Sequence, residues 1–304
     1  MNKKADLIKA HLFYNCKLIH SDFKGHDKNQ AFLVSAGKIC WIGPKSKIPK
    51  NYLVQKEINL ENKLVLPSFI ECHTHTVFAG DRAEEFELRN NGMSYLEIAA
   101  RGGGILSTVQ KTREISKSKL VDLSQRRVNE FLRQGVSTLE IKSGYGLDLK
   151  SEFKMLEVAC SMKGPQVVTT FLGAHAKPQE YQSYSEYLKY LSKEVLPILK
   201  KKKLADRVDI FIEKGFFEDS DARKYLQSAQ DLGFELTIHA NQLSQSGGAE
   251  LALELHAMSA DHVIHLSDLA IQNFAKSNTV AVLLPTADLY MKCPYPQARK
   301  LIDA

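Results

Sequence analysis

The chain has 304 residues, 44% of them hydrophobic and 25% charged, with a net charge of +6 at pH 7. These are the proportions of an ordinary soluble globular protein, with length for one large domain or two smaller ones. No apolar run approaches the ~20 residues of a membrane-spanning helix, and the polar start Met1-Asn2-Lys3-Lys4 leads into short, broken apolar stretches, unlike a secretory signal.

Five cysteines, odd in number and never spaced Cys-x-x-Cys, read as reduced thiols of a cytoplasmic protein. The lysine run 200–203 follows an apolar helical pattern. Lysines there complement the dipole of a helix C-terminus, and no recognition motif or interleaved aromatics accompany them. Neither a nucleic-acid nor a membrane partner is therefore expected, and the mild positive balance decides nothing further alone.

In chain order, residues 1–63 hold short strand-like pieces at 12–19, 31–34, 39–44 and 57–60. The turn at Ala36-Gly37 makes a hairpin of the middle two. This is the N-terminal part of a small β domain, too short to bury a generous core alone. From residue 64 to 304, strands alternate with helices, the signature of a parallel α/β architecture. The first strand is the apolar run 64–70, and six more follow at 137–141, 167–172, 208–212, 234–238, 257–260 and 280–284. Helical patterns cover 120–134, 152–162, 184–203, 222–232, 249–255, 268–276 and 296–304. Gly135 and Gly233 stand where helices should stop, and Ser267 where one should start. Seven strands are present where a (β/α)₈ barrel needs eight.

The chemistry gathers at strand ends. The first strand runs into Glu71-Cys72-His73-Thr74-His75. Side chains at i and i+2 of a strand share a face, so both imidazoles can point at one ion. Lys142-Ser143-Gly144-Tyr145-Gly146 follows the second strand, His175 the third, Glu213-Lys214 the fourth, His239 the fifth and Asp261-His262 the sixth. One such histidine would read as structural; histidines at four strand ends in one periodic array read as a site. Neutral imidazoles suit zinc or iron, and three of them with an open position suit hydrolytic activation of water. By spacing alone, Arg82 reads as a surface ion pair with Glu84 or Glu85, and Gly102-Gly103-Gly104 as a flexible loop near the site.

At these residues the chain resembles the amidohydrolase superfamily, through residues 67–75, His239 and His262. Longer stretches resemble one branch of it, the imidazolonepropionase family. They are His73-Thr74-His75-Thr76-Val77-Phe78-Ala79-Gly80-Asp81-Arg82, Gly102-Gly103-Gly104-Ile105-Leu106-Ser107-Thr108, Glu140-Ile141-Lys142-Ser143-Gly144-Tyr145-Gly146, Leu172-Gly173-Ala174-His175, Glu213-Lys214-Gly215 and Ser259-Ala260-Asp261-His262. The resemblance implies an amidohydrolase-type TIM barrel and one Zn or Fe ion on His73, His75 and His239. It places the substrate propionate on Arg82, the imidazolone ring against Tyr145 and His175, and His262 in catalysis. Gln242 stands where some members carry glutamate, and an amide can hydrogen-bond but cannot act as a base. The implied reaction is hydrolysis of 4-imidazolone-5-propanoate to N-formimidoyl-L-glutamate in a cytoplasmic enzyme, and a homodimer is the family expectation.

The resemblance also implies an eighth strand ending in a Thr/Ser-Asp-x-Asn-Pro motif, whose aspartate would complete the metal site. No such motif occurs in these residues, so the chain reads as truncated. A non-catalytic fragment and a related cyclic amidohydrolase or deaminase stand as alternatives.

Overall fold

The computed structural model describes residues 7–19, 24–93, 97 and 103–304; Gly102 of the glycine run lies outside them. The chain divides into two compact units, Met1–Ser68 and Phe69–Ala304, a boundary five residues beyond the expected one.

The first unit is a four-stranded sheet of β1 (Ile8–Ile19), β2 (His26–Ser35), β3 (Lys38–Pro44) and β4 (Tyr52–Val65), in the order β3-β2-β1-β4. The expected hairpin is present: Ala36 and Gly37 both have positive φ, 49° and 76°, as a two-residue turn matched to strand twist requires. β1 pairs antiparallel with β2 and parallel with β4. Its register slips beside Asn15, which takes the left-handed conformation at φ 57°. A small core of Ala10, Leu12, Ala31 and Leu33 lies against the sheet.

The expected buried strand over 64–70 does not form as one piece. Leu64 and Val65 end β4 in the first unit, and only β5 (Phe69–Glu71) joins the second. Pro67 between them has no backbone N–H and biases its predecessor to extended geometry, so it punctuates the run. Phe69 and Ile70 are exposed.

The second unit carries β5, β6 (Val136–Lys142), β7 (Gln166–Ala174), β8 (Arg207–Ile212), β9 (Glu235–Ala240), β10 (Ser259–His262) and β11 (Val280–Val282). They pair in sequence order, every pair parallel. This is a seven-stranded, all-parallel sheet with helices between the strands. One face of each strand feeds the helix-covered core: Val208, Ile210 and Ile212 from β8, Leu236, Ile238 and Ala240 from β9, Leu139 and Ile141 from β6.

The helices start and stop as side-chain chemistry dictates. Ser267 accepts from Ala270 N at 3.1 Å and Asp148 from Ser151 N at 2.7 Å, and Gly135 and Gly233 take positive φ just past helix ends. The 184–203 helix contains a wide turn over Leu191–Val195, where Leu196 N reaches back to Leu191 O. Pro197 follows; it lacks an N–H and crowds the preceding turn, which a local π-type turn relieves. Three helices, Ala83–Asn90, Ile105–Glu114 and Pro285–Met291, were not legible as such in the sequence.

Candidate active site

Residues alternate faces along a strand, and here the second face of each central strand is polar. Glu140 and Lys142 on β6, Thr170 on β7, Asp209 on β8, Thr237 and His239 on β9, and Asp261 on β10 are all buried. They meet one another across the sheet. The Lys142 ammonium donates to Asp209 Oδ2 at 2.8 Å, to Glu140 Oε1 at 3.1 Å and to Thr237 Oγ1 at 3.4 Å, and lies 3.2 Å from Asp261 Oδ2. Thr170 Oγ1 donates to Glu140 Oε1. Burial alone would pull the ammonium's pKa down, but Asp209, Asp261 and Glu140 outweigh it and hold the pKa raised. Burial likewise pushes Asp209 and Asp261 up, and the neighbouring Lys142 with His239 or His73 holds both carboxyls well below their ordinary range. A buried charge cluster persists only when paired and hydrogen-bonded in this way.

The histidines form the next layer. His73 Nδ1 lies 2.6 Å from Asp261 Oδ2, and His239 Nδ1 lies 3.0 Å from Asp209 Oδ2. A carboxylate at Nδ1 fixes the proton there and leaves Nε2 as a lone pair. Burial drives the pKa of His73 down to about 4, aided by Lys142 and opposed by Asp261. Burial first, then His239, takes His175 down to about 3. His75 and His262 are held well below the ordinary imidazole value by burial and by the neighbouring histidines. All four rings are therefore neutral at pH 7, the form that ligates metal.

One ring nitrogen from each of His73, His239 and His262 lies within 4.8 Å of the other two. His75 stands beside that set, with ring centroids 5.4 Å from His73 and 5.6 Å from His239, and it stacks on His175 at 5.2 Å. Among the described residues, His75 Nδ1, His262 Nδ1 and both ring nitrogens of His239 make no hydrogen bond, the 3.0 Å approach of His239 Nδ1 to Asp209 Oδ2 being close but not aligned as one. Buried imidazole nitrogens without partners, in a ring of histidines backed by carboxylates, fit a metal ion and are costly otherwise.

Above this layer a cleft of roughly 360 Å³ is lined by Arg82, Tyr145, His175, Gln242, His239 and His262, with Phe211, Phe216, Tyr290 and Met291. Six of the eight residues singled out from sequence thus line one cavity, and His73 and His75 pack against its histidines. Arg82 does not form the expected surface pair: Glu85 instead takes Gly104 N at 2.7 Å and lies 3.9 Å from Arg89. The phenol of Tyr290 donates to Arg82 O at 3.2 Å. His239 and His262 sit within β9 and β10, not after them.

Tyr145 is presented by a tight loop. Glu152 accepts from the backbone N–H of Gly144, Gly146 and Leu147 at 3.0, 2.7 and 2.9 Å. Gly144 has φ 108°, and a Cβ there would meet His175 Nδ1 and Leu172 O, both at 3.0 Å. A Cβ on Gly146 would lie 2.5 Å from Glu152 N. The glycines let the loop fold down onto the helix Leu149–Cys160.

Sequence reasoning gave no role to Lys142, Asp209, Asp261 or Glu152. For the three strand residues the signal was present: a charged residue inside an apolar strand, as in Val208-Asp209-Ile210-Phe211-Ile212.

Neutral buried histidines predict a pH dependence for the metal-free protein. Their folded pKa values lie below the unfolded value near 6.5, so between the two the unfolded chain binds more protons. Stability is fully present above about pH 6.5 and is lost as pH falls through the folded values, about 4 for His73 and about 3 for His175. His73 alone accounts for on the order of 3 kcal/mol. The urea midpoint of metal-free protein should drop steadily from pH 7 to pH 4; a flat profile would contradict neutral burial.

A parallel β/α sheet carrying histidines on its carboxyl ends defines an amidohydrolase-type fold, and solved structures agree. A guanine deaminase from C. acetobutylicum with bound guanine superposes with a TM-score of 0.70 at 14% identity, over 97% of this chain and 72% of that one. An adenosine deaminase from Xanthomonas campestris with bound zinc gives 0.67 at 14% identity, over 98% and 67%. No family model matches the chain. Curated relatives match over most of it. The imidazolonepropionase of Bdellovibrio bacteriovorus is 55% identical over 277 residues, 90% of this chain and 66% of the relative. That of Clostridium tetani is 42% identical over 282 residues, 91% and 67%, and that of Legionella pneumophila strain Corby is 44% identical over 270 residues, 87% and 67%. The chain belongs to the imidazolonepropionase family. It spans about two thirds of the length of these relatives.

Proposed function

We propose that the protein acts as a metal-dependent cyclic amidohydrolase that opens the ring of 4-imidazolone-5-propanoate with water, giving N-formimidoyl-L-glutamate. The observation that carries this reading is the shared cleft of Arg82, Tyr145, His175, Gln242, His239 and His262 in a chain whose relatives bear the imidazolonepropionase name. His73, His75 and His239 would hold one ion, zinc or iron. Bound there, it supplies Lewis acidity toward the ring carbonyl and lowers the pKa of water.

The chain's own residues do the rest. Arg82 offers a planar fork of N–H donors to the substrate carboxylate, whose geometry it matches. Tyr145 and His175, with ring centroids 5.5 Å apart, form a wall for a flat heterocycle. Gln242 orients through its amide and carries no proton away. His262 lines the cleft, and its imidazole, whose buried Nδ1 has no partner among the described residues, would take a proton from water and return one to the departing nitrogen. We place the enzyme in the cytoplasm with a small-molecule partner. Among the described residues no helix is long and apolar enough to cross a membrane.

The test is loss of the substrate's ultraviolet absorbance on incubation with purified protein, before and after chelation and metal restoration. Equal rates in chelated and restored samples would overturn the metal-dependent reading. Arg82→Ala should raise KM by about 10-fold or more with a smaller change in kcat, since a charge-assisted hydrogen bond contributes roughly 1.5–3 kcal/mol. Unchanged steady-state kinetics would remove the carboxylate clamp.

A further inference from the structure

Lys142 is the centre of a symmetrical arrangement. Asp209 Oδ2 lies 2.8 Å from its ammonium and 3.0 Å from His239 Nδ1. Asp261 Oδ2 lies 3.2 Å from the same ammonium and 2.6 Å from His73 Nδ1. One oxygen of each carboxylate thus bridges Lys142 to one imidazole, on strands 67 and 119 residues further along the chain. The other oxygen is held separately: Asp209 Oδ1 by the backbone N–H of Ile210 and His239, Asp261 Oδ1 by Ser259 Oγ. Asp209, His239 and Asp261 also form a set of donors close enough to hold a metal. The Lys142 ammonium already lies against both of its carboxylate oxygens.

We propose that Lys142 is a positioning residue for the metal site. Its ammonium turns Asp209 and Asp261 onto the Nδ1 atoms of His239 and His73, and it fills the position a second cation would take among those carboxylates. The proposal rests on the metal-dependent reading above. Carboxylates behind metal-ligating histidines fix the tautomer and ring orientation, and losing such a partner costs roughly 10–100-fold in metal affinity. Lys142 does not line the substrate cleft; its polar contacts reach the two histidines through the two aspartates.

The test uses Lys142→Met, which removes the charge at similar volume, and Lys142→Arg, which keeps it, each compared with the unaltered chain. In metal-free protein with ¹⁵N-labelled histidine, the unaltered chain should show His73 and His239 as Nδ1–H tautomers. Lys142→Met should mix those tautomers and weaken Zn²⁺ binding by about 10-fold or more, with Lys142→Arg recovering part of both. Folded Lys142→Met with unchanged tautomers and unchanged Zn²⁺ affinity would overturn the proposal. If Lys142→Met does not fold, the unaltered chain decides. Its buried ammonium ¹H–¹⁵N signal should move on Zn²⁺ addition, because the ion pulls on the same carboxylate–imidazole pairs; a signal that stays put overturns the proposal. An unaltered chain that fails to bind Zn²⁺ overturns the metal reading instead, while the tautomers still report on Lys142.

Discussion

Replacing His239 with alanine should leave a protein that retains no zinc or iron after exhaustive dialysis and whose kcat/KM is lower by on the order of 10³-fold or more, equivalent to ~4 kcal/mol of transition-state stabilisation. His239 is the imidazole on which the geometry converges. Its ring lies 4.6 Å from His73, 5.3 Å from His262 and 5.6 Å from His75, and its Nε2 has no other partner among the described residues. His262→Ala is the informative companion. A proton-transfer role at His262 predicts that this variant keeps its metal content and loses kcat with little change in KM. The converging nitrogens of His73, His239 and His262 set up the opposite expectation, in which His262→Ala loses metal as His239→Ala does. Metal analysis of His75→Ala completes the comparison. If it keeps full metal content and His262→Ala does not, the ligand set is His73, His239 and His262, and proton transfer moves to another residue.

The distinction shows what strand periodicity can and cannot reveal. Six of the seven parallel strands were legible in order, because apolar runs separated by helical patterns and glycine stops are local signals. The pairing of His73 with His75 also follows from local spacing. The placement of His239 inside β9 and His262 inside β10 shifts each inward, and this depends on where a strand stops in the folded sheet. The strand expected over 64–70 failed for a similar reason: an apolar run says nothing of which of two sheets it serves, and Pro67 divides it between them. The polar layer of Lys142, Asp209 and Asp261 was harder still. Each is a single charge in its own strand, and only the parallel register across β6, β8, β9 and β10 brings them together. What each strand does show on its own is a lone charge inside an apolar run, a group that can be buried there only if partners from other strands meet it.

Glu152→Ala should be the most damaging single change outside the histidine cluster, lowering unfolding stability by about 3 kcal/mol or more and raising KM well above the effect on kcat. The Glu152 carboxylate is buried and accepts three backbone N–H groups from the loop 144–147. Burial raises its pKa, and these hydrogen bonds with Ser143 work against that rise. Removing the side chain orphans the N–H groups of Gly144, Gly146 and Leu147 in a water-poor interior, and each unsatisfied buried group costs about 1–3 kcal/mol. Glu152→Gln tests the same device more gently. An amide oxygen can accept from two of the three donors, while its NH₂ faces an N–H and repels it. The loop carries Tyr145, which stands 5.4 Å from the His75 ring and 6.2 Å from Phe78. Loosening it should therefore weaken substrate binding before it disturbs the metal. The expected outcome for Glu152→Gln is raised KM, near-normal metal content and a lowered melting temperature. Loss of metal at normal stability would mean instead that the carboxylate acts on the histidines and not on the tyrosine loop.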